Sequence, residues 1–157
     1  MNAPEAGSVP QLQIGAELRA APRQMTRERM RWYVDAQPTI AVDDGRIHTQ
    51  PPTIHDDDAY AKSQGLRGII ADGMVSTNWI MGLLLDVFGQ DAAGKGKLRT
   101  RYIRPIYEDE TVLSCARVRS VERTAPGEVT YHLDVWSEVD GAVKATVGEA
   151  TVIAKAR

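Results

Sequence analysis

His55 stands beside three consecutive aspartates, and Asp72 follows it further along the chain. A free imidazole titrates near neutral pH, so His55 is a candidate general acid and base. Two structural alternatives stay open, in which His55 only supports its own turn and Asp72 only caps the next helix. The residue types therefore indicate proton-transfer chemistry in this stretch.

Gly73 and Met74 begin an apolar stretch that ends at Phe88. The first N–H groups of a helix have no intrahelical acceptor and lie at its positive dipole end. The backbone N–H groups of Gly73 and Met74 are therefore candidates for holding a carbonyl oxygen or oxyanion. Apolar residues fall on nearly every side of the helical wheel, which predicts a buried central helix over residues 73–88.

The acidic run Asp56–Asp58 suggests a metal site at first sight. A metal ion needs several converging ligands, and only His55 accompanies the run, so we assign no metal ligand. Acidic residues are also typical of a helix N-terminus. We therefore expect Asp56 to cap a short helix that ends near Gln64.

The composition indicates an ordinary globular protein. The chain has 157 residues and a net charge of −2, which gives no sign of a nucleic-acid or membrane partner. We expect a disordered tail over residues 1–10 and one domain over residues 11–157. The single cysteine, Cys115, excludes an internal disulfide and fits the reducing cytoplasm.

The order of elements predicts an α+β fold. A helix from Thr26 to about Ala36 is expected in the first half, after a strand over Leu18–Met25. Four strand-like runs follow the central helix, separated by Asp/Glu and Gly-containing turn signals, at about 98–107, 111–124, 129–139 and 143–154. An antiparallel sheet that curls around the central helix would bury both in one core.

Two stretches carry a family resemblance: QPPTIHDDDAYAKSQGLRGIIADGM, and later GKGKLRTRYIRPIYEDETV. They resemble the MaoC-like branch of the hot-dog fold, the (R)-specific enoyl-CoA hydratases and related acyl dehydratases. The resemblance implies an antiparallel sheet wrapped around a long central helix, in a homodimer. It also implies a hydro-lyase that acts on an α,β-unsaturated or 3-hydroxy acyl thioester, with acyl-CoA as the expected substrate and no separate cofactor.

The resemblance also assigns roles within the site. His55 falls on the family's catalytic histidine, whereas Gln50 stands at its catalytic aspartate and Asp72 at a second histidine. An amide cannot act as a general base, so Gln50 is assigned to substrate binding. Asp72 is expected to replace the lost carboxylate and to pair with His55, which it would orient or activate. Asp43 or Asp44 is an alternative source of that carboxylate, although both precede a glycine and fit a turn.

Three further residues are assigned to substrate binding. Arg99 and Arg101 belong to a basic stripe that could meet coenzyme A phosphates or simply form a solvated strand face. Trp79 could line the pocket or belong to the core. Three alternatives to a hydratase remain: a non-catalytic acyl-CoA-binding or partner hot-dog subunit, a thioesterase, and a dehydratase of a non-CoA substrate.

Overall fold

A computed structural model describes residues 11–35 and 52–155 of the chain. Its helices are α1 (Arg27–Asp35), α2 (Asp58–Ser63), α3 (Gly73–Phe88) and α4 (Gln90–Ala93). Its strands are β1 (Glu17–Arg19), β2 (Arg23–Gln24), β3 (Lys97–Tyr102), β4 (Thr111–Ala125), β5 (Glu128–Val139) and β6 (Val143–Lys155). The tail predicted over residues 1–10 lies outside the described residues, as do Asp43, Asp44 and Gln50.

The strands form one antiparallel sheet in the order β1–β4–β5–β6–β3, and β2 also pairs with β4. Tight turns join the long strands, with Gly127 between β4 and β5 and Gly141 between β5 and β6, both at positive φ. The four strand-like runs are confirmed in number and order. The first of them ends at Tyr102 and not near residue 107, because a proline such as Pro105 cannot donate to a ladder.

Helix α3 packs one face on the sheet. Its buried residues form a core with the inward side chains of β4, β5 and β6. The expectation of burial on nearly every side is wrong for the single chain, in which Met74 and Leu85 are 43% and 38% exposed. The helix begins after Asp72 and ends at Gly89, as the sequence predicts. None of the described helices is long and apolar enough to cross a lipid bilayer.

Three local expectations need correction. Asp57 and not Asp56 caps α2, because the Asp57 carboxylate accepts the Tyr60 N–H at 2.7 Å while the Asp56 carboxylate accepts that of Thr53. The segment expected as a loop after α3 contains the short helix α4. The strand expected over residues 18–25 is divided into β1 and β2, which pair with separate parts of β4.

Gly148 allows the edge strand β3 to pair closely with β6. It lies opposite Thr100, and a Cβ added at this position would collide with the Arg99 carbonyl oxygen. Because backbone atoms cannot move aside as a flexible side chain can, we expect Gly148→Ala to destabilise the protein by roughly 1–3 kcal/mol. Urea unfolding measures this change as a lower midpoint.

Gly82 in α3 is the matched control, since a Cβ added there meets no atom within 4 Å. We expect Gly82→Ala to leave the free energy of unfolding unchanged or to raise it by up to about 1 kcal/mol through helix propensity. Equal unfolding midpoints for Gly148→Ala and the wild type would contradict the close β3–β6 packing.

Candidate active site

His55 is held in one orientation by a backbone carbonyl. Its Nδ1 lies 2.9 Å from the Ile70 carbonyl oxygen, which can only accept a hydrogen bond, so Nδ1 carries the proton. In the neutral ring Nε2 is then the unprotonated nitrogen, and it lies 3.9 Å from Asp72 Oδ2. The turn before α2 and the segment before α3 thus present a base and a carboxylate to each other.

Asp72 contacts both α3 and His55 within the part of the chain that the structure describes. Its Oδ1 accepts the Met74 N–H at 2.8 Å and caps α3, while its Oδ2 faces the His55 ring. The Nε2–Oδ2 distance is too long for a direct hydrogen bond. It suits an ion pair with protonated His55, or a water molecule that binds both groups. The sequence left open whether Asp72 only caps α3 or both caps it and pairs with His55, and the structure contains both contacts.

The N-terminus of α3 offers one of the two predicted backbone donors. The Met74 N–H is already bonded to Asp72, so its prediction as an oxyanion donor is wrong for this arrangement. The Gly73 N–H is at the first helical position, where no intrahelical acceptor exists, and it carries the positive end of the dipole. Gly73 is therefore the donor available to a substrate oxygen.

Tyr102 covers Gly73 from the side of the sheet. A Cβ added to Gly73 would lie 2.5 Å from the Tyr102 ring, so only glycine fits beneath this ring without moving it. The Tyr102 hydroxyl bonds to Thr77 Oγ1 at 2.9 Å and donates to Met74 Sδ at 3.3 Å. These contacts fix the aromatic ring next to the start of α3.

His55, Asp72 and Gly73 line one cavity of about 470 Å³. The opposite wall is the segment 102–106, which begins at the last residue of β3. This segment is attached to the strand-like residues before α3, since the Ala71 N–H donates to the Ile106 carbonyl at 2.8 Å. The wall is largely apolar, so the cavity combines a proton-transfer pair and a backbone donor with room for a short acyl chain.

Glu110 anchors this wall from behind. It is only 6% exposed and accepts hydrogen bonds from Arg104, Arg67 and the Tyr107 N–H. Burial alone would raise the pKa of Glu110, but the hydrogen bonds from Arg104 and Tyr107 and the nearby positive charges outweigh it and lower the pKa. Because Arg104 lines the His55 cavity, the Glu110 network also fixes the cavity shape.

Three of the predicted substrate-binding residues, Arg99, Arg101 and Trp79, lie apart from this cavity. Arg99 and Arg101 alternate along β3 with Thr100, whose hydroxyl bonds to Thr77 of α3 at 2.8 Å. Successive strand residues point to opposite faces, so both arginines lie on the face away from α3. Trp79 lines a different cavity, and Gln50 is outside the described residues. Their roles in substrate binding stay predictions.

The sequence matches no protein-family model, and no curated protein is significantly similar to it. Solved structures do match. A MaoC-like dehydratase from Rhodospirillum rubrum superposes with a TM-score of 0.72 at 14% identity, over 93% of this chain and 94% of that chain. An (R)-hydratase from A. caviae, described as involved in PHA biosynthesis, gives a TM-score of 0.68 at 19% identity, over 93% of this chain and 98% of that chain.

The chain has the hot-dog fold of these MaoC-like dehydratases and (R)-hydratases. A third match is the HadBC complex of Mycobacterium tuberculosis, a (3R)-hydroxyacyl-ACP dehydratase. It gives a TM-score of 0.65 at 15% identity, over 89% of this chain and 96% of that chain. The predicted fold, an antiparallel sheet packed on a long helix, is therefore confirmed.

Sequence reasoning missed three parts of this hot-dog site. The carbonyl of Ile70 that orients His55 has no side-chain signature. Glu110 was interpreted only as part of a turn. Tyr102 could have been found from the alternation Leu98–Thr100–Tyr102, since these residues share the strand face opposite the basic stripe.

Proposed function

We propose that this protein is a hydro-lyase of the MaoC-like hydratase family that adds water to, or removes it from, an acyl thioester. The expected substrate is an α,β-unsaturated or 3-hydroxy acyl-CoA. The observation that carries the proposal is the convergence of His55, Asp72 and Gly73 on one cavity. The hydratases and dehydratases among the matched structures support the same reaction class.

In the hydration direction, a water molecule between His55 and Asp72 donates its two hydrogens to Nε2 and Oδ2. Its oxygen then attacks the β-carbon of the enoyl thioester as one proton moves to Nε2. The Gly73 N–H, at the positive end of α3, stabilises the enolate-like oxygen. The α-carbon then takes a proton from the same unit, and dehydration follows these steps in reverse.

We propose that two copies pair along β3. This strand is hydrogen-bonded to β6 on one side and is the last strand of the sheet within the described residues. Tyr102 and Ile103 at its end are both about half exposed. A second copy would cover this edge and the apolar residues beside it.

A second candidate function is a hot-dog subunit that needs a homologous partner. Two matched structures are complexes of two named subunits, ChsH1–ChsH2 and HadBC. Gln50, which stands where the resembled family has its catalytic aspartate, also favours this alternative. In that case the purified chain alone would not turn over substrate, and activity would appear only after a partner is added.

The test is hydration of crotonyl-CoA, followed as the loss of enoyl absorbance, for the wild type and Asp72→Asn. Asparagine is also a preferred N-cap, so this change keeps the start of α3 while removing the carboxylate charge beside His55. We expect the rate to fall by about 10²-fold, the lower end of the range for losing an acid–base partner.

Asp57→Asn is the matched control, because it makes the same change at the cap of α2, outside the cavity lining. We expect it to hydrate crotonyl-CoA at the wild-type rate. If Asp72→Asn were as active as Asp57→Asn, the carboxylate would have no part in the reaction. A wild type that is active only with a partner subunit would favour the second candidate.

A further inference from the structure

A second cavity, of about 380 Å³, lies between α1 and the N-terminal half of α3. We call it the Trp–Arg cavity after four of its lining residues, Trp32, Trp79, Arg23 and Arg29. Tyr33 and Asn78 add a phenol and an amide to the lining. No acidic side chain lines it among the described residues, whose polar groups here include two guanidinium groups, a phenol and an amide.

The two arginines of this cavity, Arg23 and Arg29, have different partners from the neighbouring Arg27. Arg27 forms salt bridges to Glu108 and Asp58, at 2.6 and 2.8 Å. No acidic partner of Arg23 or Arg29 lies among the described residues, and the Arg29 guanidinium donates to the Gln24 carbonyl. Two guanidinium groups at one cavity, without a carboxylate from the described chain, are suited to bind an anion.

The aromatic residues give the cavity a flat apolar surface. The Arg23 guanidinium lies 5.6 Å from the centre of the Trp79 ring, within the range of a cation–π contact. Trp32 is 63% exposed at the other side, which is unusual for so large an apolar side chain. A ligand with an apolar chain and an anionic end would cover both features.

The Trp–Arg cavity is close to the His55 cavity. The His55 cavity includes Ser76 of α3, and the lining of the Trp–Arg cavity begins at Val75, so the two linings overlap along the helix axis and lie on neighbouring faces of α3. Burial and the negative charge of Asp72 raise the pKa of Tyr33, which places this phenol within the electrostatic range of Asp72.

We propose that the Trp–Arg cavity binds a carboxylate at the far end of the substrate's acyl group, so that the preferred substrates are thioesters of dicarboxylic acids. This inference rests on the proposed hydratase function and specifies its substrate class. Because the two linings overlap along α3, an acyl chain of a few carbons can reach from one cavity to the other. The nucleotide end of coenzyme A is too far from the thioester, across the whole pantetheine arm, to be the anion expected here.

The experiment compares kcat/KM for 2-hexenedioyl-CoA and 2-hexenoyl-CoA, which differ only in the terminal carboxylate. We expect the wild type to prefer the dicarboxylic thioester. Arg23→Gln and Arg29→Gln are each expected to lower kcat/KM for it by about tenfold, the effect of losing one charge-assisted hydrogen bond. Both variants should leave 2-hexenoyl-CoA within about twofold of the wild type.

Arg31→Gln is the control, because Arg31 is an exposed residue of the same helix and is not among the described residues that line the cavity. It should change neither substrate. Two results would overturn this inference and leave the hydratase function standing. In the first, the wild type hydrates 2-hexenoyl-CoA and shows no preference for the dicarboxylic thioester. In the second, it shows the preference, but Arg23→Gln retains it.

If the wild type hydrates neither thioester, the proposed function fails, and binding then tests the cavity alone. Two of the three tryptophans line the cavity, and Trp136 lies on the far side of the sheet between Arg117 and Lys144. We expect 2-hexenedioyl-CoA to change tryptophan fluorescence at lower concentration than 2-hexenoyl-CoA, and Arg23→Gln to abolish the difference. Equal binding of both thioesters would contradict the inference.

Discussion

Replacing His55 with alanine is expected to lower kcat for hydration of crotonyl-CoA by a factor of about 10²–10⁴, the usual contribution of a positioned general acid–base group. The Ile70 carbonyl fixes the proton on Nδ1 and leaves Nε2 as the nitrogen that faces Asp72. No other imidazole lines the cavity among the described residues. Removing the ring therefore removes the group that receives the proton from water.

The fold should survive this change, since the lost side-chain hydrogen bond contributes about 1 kcal/mol to the free energy of unfolding. His132→Ala is the matched control. His132 lies on the outer face of the sheet, with Nε2 at 3.6 Å from Glu122, so its loss should leave kcat unchanged. A His55→Ala protein with wild-type kcat would remove His55 from the proton transfer.

Replacing Glu110 with glutamine is expected to lower the free energy of unfolding by roughly 2–3 kcal/mol at neutral pH. This is less than the 3–5 kcal/mol of a fully buried ion pair, because Arg67 and Arg104 are partly exposed and regain water. Glutamine keeps the shape of the side chain, so the decrease in the free energy of unfolding measures the contribution of the charge and its hydrogen bonds. Urea unfolding of both proteins measures it.

The same carboxylate should make the protein sensitive to acid. The pKa of Glu110 is lowered from its usual 4.5, so its contribution to stability is fully present above pH 4.5. It is lost as the pH falls through the lower pKa of the folded state, because the unfolded chain then binds more protons. Glu110→Gln should flatten this part of the stability–pH curve.

Glu128→Gln provides the control for this effect. Glu128 pairs with the exposed Lys95 at 2.8 Å, a contact that contributes about 0–1 kcal/mol at a protein surface. We expect Glu128→Gln to change stability little and to leave the acidic part of the stability–pH curve unchanged. If stability fell equally steeply with decreasing pH in Glu110→Gln and in the wild type, Glu110 would not be the titrating group.

The elements of this fold were predictable where local chemistry determines them. The strands β4, β5 and β6 follow from alternation and from turns that need Gly127 and Gly141 at positive φ. The start of α3 follows from Asp72, an N-cap whose carboxylate reaches the second N–H of the helix. The short α4 was missed, because four residues give no periodicity to read.

Much of the candidate site depends on contacts between distant segments and could not be predicted. Glu110 follows a turn signal, and it is buried because arginines from two other segments converge on it. The direction in which Arg99 points is determined by the pairing of β3 with β6, which the sequence of β3 alone does not specify. The contact of His55 with Asp72 was predicted; the Ile70 carbonyl that selects the tautomer was not.

The most direct test of the proposed reaction is to incubate the wild-type protein with crotonyl-CoA in water enriched in ¹⁸O and to analyse the products by mass spectrometry. We predict 3-hydroxybutyryl-CoA with ¹⁸O in its hydroxyl group and with the thioester intact. Free crotonic acid with ¹⁸O in its carboxylate, together with free coenzyme A, would contradict the account and identify the protein as a thioesterase.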